Sequence, residues 1–314
     1  MKVLIWQTAF LGDVVLATSL LRILERRSYR VGFVGRPFIV ELLKGYNVEL
    51  IPFNKGFWES FRMISQIKHY DAVISVHRSM RSALILYFSR IPFRVGFDRS
   101  ELSILYTHKV PHRWGVHEVK RNAELLKPLT IMPEEEELYP KLFVDEMEVR
   151  KVKEKFNLPE DYVVFSPFSN FPLKEWHIDH WVELSRAIGK KVLVVGTKKD
   201  TEKSKNFDDN VINLVGKTSL REFMAVLSKA KLVVSCDSSA VHIANALGVP
   251  ALTIYTATAP IYGFYPLRGA YITPQVECSP CSPNPKKCKV GTYECVKSVS
   301  VEKVLSLCQT LITD

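Results

Sequence analysis

Short runs of β-branched and aliphatic residues alternate along this chain with stretches whose apolar positions recur at helical spacing. Val3–Trp6 reads as a buried strand, a polar loop follows through Asp13, and Val14–Arg26 carries Leu16, Leu20, Ile23 and Leu24 on one helical face. Val31–Val34, Val48–Ile51 and Asp71–Val76 predict further strands, with helices over Pro37–Lys44 and Met80–Ser89. The alternation pauses at Thr130–Asp145, where Pro133, the run Glu134–Glu137 and Pro140 interrupt it. It resumes with strands at Tyr162–Ser166, Val192–Val195, Val211–Val215, Leu232–Cys236 and Ala251–Tyr255, and a helix over Ile178–Ile188. Such an order predicts α/β architecture, parallel sheets with helices on both faces. The pause predicts two units, 1–155 and 156–314, with the last helix packing back on the first. Ligands of such sheets bind beyond the carboxyl ends of the strands, and between two units the expected site is a central cleft.

Composition narrows the class. With 314 residues, 47% of them apolar and 24% charged, each unit can bury a core, which excludes a disordered, collagen-like or disulfide-stapled chain. No apolar run reaches the roughly 18–20 residues of a membrane-spanning helix. The opening Met1–Trp6 is too short for a signal peptide, so a cytoplasmic protein is expected. The net charge is +10, and residues 1–130, with 20 Lys+Arg against 10 Asp+Glu, carry an excess equal to all of it. Within 78–121 lie nine basic residues, Arg78, Arg81 and Arg121 among them, and only Asp98, Glu101 and Glu118; His77, His108, His112 and His117 sit in the same region. Such a face suits nucleic acid, an anionic membrane or an acidic substrate; a solvated surface is the bland alternative.

Four loops after strands carry candidate chemistry. In Gln7–Asp13, Gly12 permits a tight turn, and Asp13 is either the N-cap of the next helix or a general base facing the cleft. No Gly-x-Gly-x-x-Gly dinucleotide fingerprint is present. In Ser166–Trp176, backbone amides around Ser169 and Asn170 together with Lys174 suit a phosphate; a solvated lysine is the alternative. In Val195–Asp200 the acid either accepts from ribose hydroxyls or caps a helix. In Val233–His242 a strand runs into Asp237-Ser238-Ser239, whose small side chains let amides approach an anion at a helix N-terminus; His242 lies on its first turn.

Taken together, Leu11-Gly12-Asp13-Val14, Lys174-Glu175-Trp176 followed by Trp181, and Asp237-Ser238-Ser239-x-x-His242 resemble the ordered signature of the ADP-heptose:lipopolysaccharide heptosyltransferases, over nearly the whole chain. The resemblance implies a GT-B fold of two Rossmann-like domains facing a central cleft. It also implies inverting, metal-independent transfer of heptose from ADP-heptose to the lipid A–Kdo inner core. By it, Asp13 is the catalytic base, Lys174 contacts the ADP diphosphate and Asp200 holds the ribose. Asp237, Ser238, Ser239 and His242 line the donor pocket, with Ser169 and Asn170 in the phosphate loop and Thr8 near the leaving group. Arg78, Arg81 and Arg121 are the expected contacts to the anionic acceptor, the enzyme working peripherally at the inner membrane without nucleic acid. The family usually has Gly at the place of Ser239 and Tyr-Gly-Pro where this chain reads Tyr255-Thr256-Ala257. Another GT-B enzyme with a different nucleotide sugar, or a basic non-enzymatic binder, are the alternatives; the four ordered loops speak against the binder.

The cysteines stand apart. Cys278, Cys281, Cys288 and Cys295 cluster in a Pro- and Lys-rich stretch, where zinc, disulfides or reduced thiols all fit and zinc is not favoured, since only the first pair has Cys-x-x-Cys spacing. A similar cluster occurs in heptosyltransferases of the second type. Cys236 and Cys308 lie among apolar residues and predict packing roles.

Overall fold

The computed structural model describes residues 1–313 and divides the chain into two compact units, Met1–Phe143 and Val144 onward. In the first, β1 (Lys2–Trp6), α1 (Leu11–Arg26), β2 (Arg30–Gly35), α2 (Ile39–Leu42), β3 (Glu49–Pro52) and α3 (Phe57–Ile67) precede β4 (Ala72–Ser75), α4 (Met80–Phe88), β5 (Phe93–Phe97), β6 (His108–Val110) and α5 (Glu118–Glu124). All six strands are parallel, in the order β3-β2-β1-β4-β5-β6, with Ile5 opposite Phe33 on one side and Ile74 on the other. β1 is therefore central, and Val3–Trp6 is fully buried; helices cover both faces, which is why these four side chains form an unbroken apolar run. The one polar atom there, Trp6 Nε1, donates to Ser82 Oγ at 2.8 Å. Gly32 on β2 is required by close approach: a Cβ would stand 2.0 Å from Tyr70 Oη.

The second unit repeats the plan with α6 (Glu146–Phe156), β7 (Tyr162–Ser166), α7 (Ile178–Ala187), β8 (Lys191–Val194), α8 (Thr201–Ser204), β9 (Val211–Asn213), α9 (Leu220–Ser228), β10 (Val233–Cys236), α10 (Ser239–Ala246), β11 (Ala251–Ile254), β12 (Gly269–Ile272), α11 (Glu294–Lys297) and α12 (Val301–Thr313). The order is β12-β11-β10-β7-β8-β9, again all parallel. Phe165, Trp176, Trp181 and Leu252 anchor one face of its core. Cys236 and Cys308 are fully buried, as their apolar surroundings predict.

Two expectations are corrected. The division falls at 143/144 rather than 155/156, because α6 packs on α9, where Glu148 pairs with Arg221, Lys155 Nζ with Glu222 at 2.6 Å and Lys229 Nζ with Glu146 at 2.7 Å. The last helix packs on the second unit's own sheet: Val301, Val304 and Cys308 join the cluster of Trp181 and Leu252.

Candidate active site

In a doubly wound sheet the loops on either side of the strand-order reversal diverge and leave a crevice at the carboxyl edge. In the first unit the reversal lies between β1 and β4, so Gln7–Phe10 and His77–Ser79 flank it. α1 starts at Leu11, three residues earlier than the periodicity indicates, with Phe10 as N-cap. Asp13 is thus not the N-cap but the third helical residue, its Oδ2 accepting from Phe10 N–H at 3.2 Å. This is half of a capping box, with the carboxylate at the positive end of the helix dipole. Asp13 is half-buried on the crevice-side turn of α1.

Thr8 is buried and its Oγ1 lies 2.8 Å from His77 Nδ1, closing a bridge from the β1 loop to the β4 loop. Burial, reinforced by Lys55, Arg36 and Arg78, holds His77 down at about 4, so its ring is neutral at pH 7. Arg36, whose guanidinium lies over the Phe10 ring, donates to Thr8 O at 3.3 Å. Arg36, Lys55 and His77 thus belong to this crevice although the sequence reading assigned none of them a role. The available signal was that Arg36 and His77 directly follow strands.

The three acceptor candidates have different settings. Arg78 shares an electrostatic neighbourhood with Asp13: the buried Glu118 carboxyl is raised by desolvation, while Arg121 and Arg78 oppose the shift and Asp13 adds to it. Arg81 is exposed and donates to Lys55 O, toward the loop before α3. Arg121 is a buried brace: it pairs with Glu118, donates to Arg113 O at 3.0 Å and Val116 O at 2.9 Å, and stands over the Trp114 ring. It holds the 113–118 loop, and Arg121→Glu is a folding lesion before it is a binding lesion.

His112 makes the unit acid-sensitive. Its ring is buried between Phe97 and Trp114, its Nδ1 has no partner, and burial first, then Arg78, Arg121 and Arg99, lowers it to about 4. Its folded pKa lies below the unfolded value, so the unfolded chain binds more protons, and this contribution falls as pH drops from about 6.5 toward 4. The expected loss is up to about 1.4 kcal/mol per pH unit. Melting temperatures of wild type and His112→Phe between pH 7.5 and 5 check this; the variant should show the shallower decline.

In the second unit the reversal lies between β7 and β10, and there Lys174 Nζ meets Asp237 Oδ2 at 2.7 Å, both side chains 13% exposed. Lys174 arrives from the loop after β7 and Asp237 from the end of β10. Ser238 is the N-cap of α10, accepting from Ala240 N–H at 3.3 Å and bonded to Ser235 Oγ at 2.8 Å. Ser239 opens the helix, and His242 is buried within its first turn, 6.1 Å from the Phe264 ring. A lysine beside a helix N-terminus surrounded by small side chains suits a diphosphate.

Neighbouring residues hold this cradle. Glu175 accepts from Ser169 N–H at 3.0 Å and from Lys203 at 2.7 Å, bending the β7 loop back on itself. Asn170 is exposed at its tip. Trp176 is buried, its Nε1 donating to Val299 O at 2.9 Å. Lys-Glu-Trp therefore points three ways, toward the cradle, along the loop and into the core. Leu173 O, next to Lys174, accepts from Thr256 Oγ1 at 2.6 Å and Ala257 N–H at 3.2 Å. Cys281 N–H donates to Ala257 O at 2.9 Å, and Leu173, Ala257, Cys281, Cys288 and Cys295 pack together. The cysteine-rich segment thus braces the lysine loop, a role the sequence did not reveal. Its thiols are unpaired, and among the described residues no three His, Cys, Asp or Glu side chains gather closely enough to hold a metal ion.

Asp200 lies at the next strand end. Its Oδ2 accepts from Thr197 N–H at 2.8 Å and Thr197 Oγ1 at 2.7 Å, so it caps its own turn. A Cβ on Gly196 would stand 2.8 Å from Phe168 and 3.3 Å from Asp200 Oδ2, which places this turn against the β7 loop.

Two doubly wound parallel sheets, with a carboxylate at the switch point of one and a lysine beside a helix N-terminus at that of the other, have the two-domain plan of the GT-B class. The glycosyltransferase family 9 (heptosyltransferase) profile matches residues 61–299, and the chain belongs to that family. It is an enzyme, a glycosyltransferase. It is 26% identical to the lipooligosaccharide heptosyltransferase 2 of Haemophilus ducreyi, covering 83% of this chain and 85% of that protein. It is also 26% identical to the lipopolysaccharide heptosyltransferase 2 of Escherichia coli K12, covering 83% and 84%. The solved structure of E. coli ADP-heptose lps heptosyltransferase II superposes with a TM-score of 0.80 at 22% identity, over 100% of this chain and 99% of that one.

Proposed function

We propose that this enzyme moves heptose from ADP-heptose to the Kdo–heptose inner core of a lipid A-linked acceptor, with inversion at the anomeric carbon. The observation that carries the reading is the Lys174–Asp237 pair at the α10 N-terminus, a cation preset where a departing diphosphate needs one. Asp13 takes the proton of the acceptor hydroxyl as its oxygen bonds to the sugar. The bond to the diphosphate breaks, and the charge left on ADP is met by Lys174 and the first amides of α10. Asp200 takes the ribose by giving up one of its capping bonds. Ser238, Ser239 and His242 line the donor side, and Thr8, oriented by His77, stands near the leaving group. Arg78 and Arg81 meet the acidic sugars and phosphates of the acceptor. The relatives named heptosyltransferase 2 support the second-type acceptor. No described helix is long and apolar enough to cross a membrane, and a lipid-linked acceptor calls for a peripheral enzyme at the cytoplasmic face of the inner membrane.

Thermal-shift titration with ADP, UDP, GDP and CMP tests the donor: ADP should stabilise most, and equal or better stabilisation by another nucleotide removes ADP-heptose. For the acceptor, Arg78→Glu and Arg81→Glu should raise KM on a soluble truncated acceptor about ten-fold at low salt and less at 0.15 M, where the Debye length is about 8 Å. The donor dissociation constant should not move.

A further inference from the structure

Surface helices of water-soluble proteins turn polar residues outward, whereas α3 and α4 expose large apolar side chains as well. α3 buries Met63 and Ile67 and presents Phe57 at 71% exposure, Trp58 at 81% and Phe61 at 56%. α4 buries Ala83, Ile85 and Leu86 and presents Met80, Leu84, Tyr87 and Phe88. The two helices pack side by side, and the 103–105 turn beside α4 adds Ile104, 81% exposed. Phe57, Trp58 and Phe61 cluster with ring centroids 5.2–6.3 Å apart, so the exposed rings form one patch rather than scattered residues.

Basic residues outnumber acids around the patch. Residues 55–105, which span α3, α4 and the Ile104 turn, contain eight Lys and Arg against four acids. Arg62 is exposed one turn after Trp58, Arg90 is exposed just beyond Phe88, and Arg94 lies 5.7 Å from the Tyr87 ring. All four acids are engaged with backbone amides: Glu59 accepts from Asn54 and Gly56, Asp71 from Lys2, Asp98 from His112 and Glu101 from Met80. Aromatic rings that partition to a headgroup region, with cations around them in excess and the nearby acids held by backbone amides, match an anionic bilayer surface.

We propose that the outward faces of α3 and α4 dock this enzyme on an anionic lipid bilayer, with Trp58, Phe61 and Phe88 entering the interface and Arg62, Arg90 and Arg94 meeting lipid phosphates. The proposal rests on the reading that the acceptor is lipid-linked, and it names the surface that brings the first unit to it.

The test is co-sedimentation with phosphatidylglycerol vesicles and with phosphatidylcholine vesicles, together with transfer to a soluble truncated acceptor. Wild type should sediment with the anionic vesicles and not the neutral ones, and the Trp58→Ser, Phe61→Ser, Phe88→Ser triple variant should partition about ten-fold less or weaker. The triple variant should keep its melting temperature and its rate on soluble acceptor, because the three side chains face outward. An Arg62→Glu, Arg90→Glu double variant, changed at two exposed side chains, should also lose binding to the anionic vesicles while keeping its melting temperature and its rate on soluble acceptor, and it reads the surface if the triple variant misfolds. Wild type that ignores anionic vesicles, or variants that bind as well as wild type, overturn the proposal. A wild-type dimer that the triple variant loses, without vesicle binding, also overturns it and gives the face to a second copy. Vesicle binding with no transfer by either protein leaves the docking surface standing and refutes the acceptor reading instead.

Discussion

Asp13→Ala is expected to lower the transfer rate about 10²–10⁴-fold while leaving ADP affinity unchanged. Asp13 lies at the switch point of the first sheet, and the residues proposed to receive ADP are on the second unit's strand ends, so its loss is expected to act on proton removal and not on donor binding. Alanine also removes the acceptor for Phe10 N–H, a contact at 3.2 Å of the kind that contributes about 1 kcal/mol to a helix start. Asp13→Asn separates the two roles. Its amide oxygen still accepts from Phe10, so it should melt like wild type, but it cannot take a proton. Rates with a synthetic ADP-sugar and melting curves for both variants decide the matter. Full turnover by the asparagine variant would return Asp13 to a purely structural residue of α1.

Lys174→Ala should weaken ADP and ADP-sugar binding about 10–100-fold, the usual range for a lost charged hydrogen bond, and leave adenosine binding nearly unchanged. It also strands Asp237, which is only 13% exposed, beside an unfilled gap. A drop in melting temperature is therefore expected from unpairing as well. Lys174→Ala with Asp237→Asn removes the stranded charge: stability should largely return while the diphosphate deficit stays. Calorimetry with adenosine, ADP and the ADP-sugar reads the difference. Equal losses for all three would show that the lysine supports the nucleoside pocket or the loop instead.

The elements with strong periodicity were legible in the chain. The β7 strand falls on the predicted residues, and β1, β4, β10 and β11 lie within a residue or two of the predicted ranges, because strands buried on both faces must be continuous apolar runs. β5 and β6 are harder to read, since Arg94, Gly96 and Lys109 interrupt their apolar character, and β12 is a short edge strand with half its residues exposed. α3 keeps helical spacing at Phe57, Trp58, Phe61, Ile64 and Ile67, but spacing does not tell which apolar residues are buried, and its largest side chains face outward. The unit boundary was misplaced because α6 is a charged helix joined to α9 by ion pairs, and nothing local says which core it serves.

The sequence by itself determined the α/β plan, the two-unit division, the basic excess of the first unit and the ordered loops that place the chain among heptosyltransferases. These follow from apolar patterning and local turn chemistry, which neighbours in the chain specify. Tertiary structure alone decided that Lys174 meets Asp237 across 63 residues, and that Arg121 is a buried brace rather than an exposed contact. It also decided that the cysteine segment supports the lysine loop through Ala257. Each of these depends on which strands lie side by side, and a parallel sheet sets that by crossovers between residues far apart in the chain.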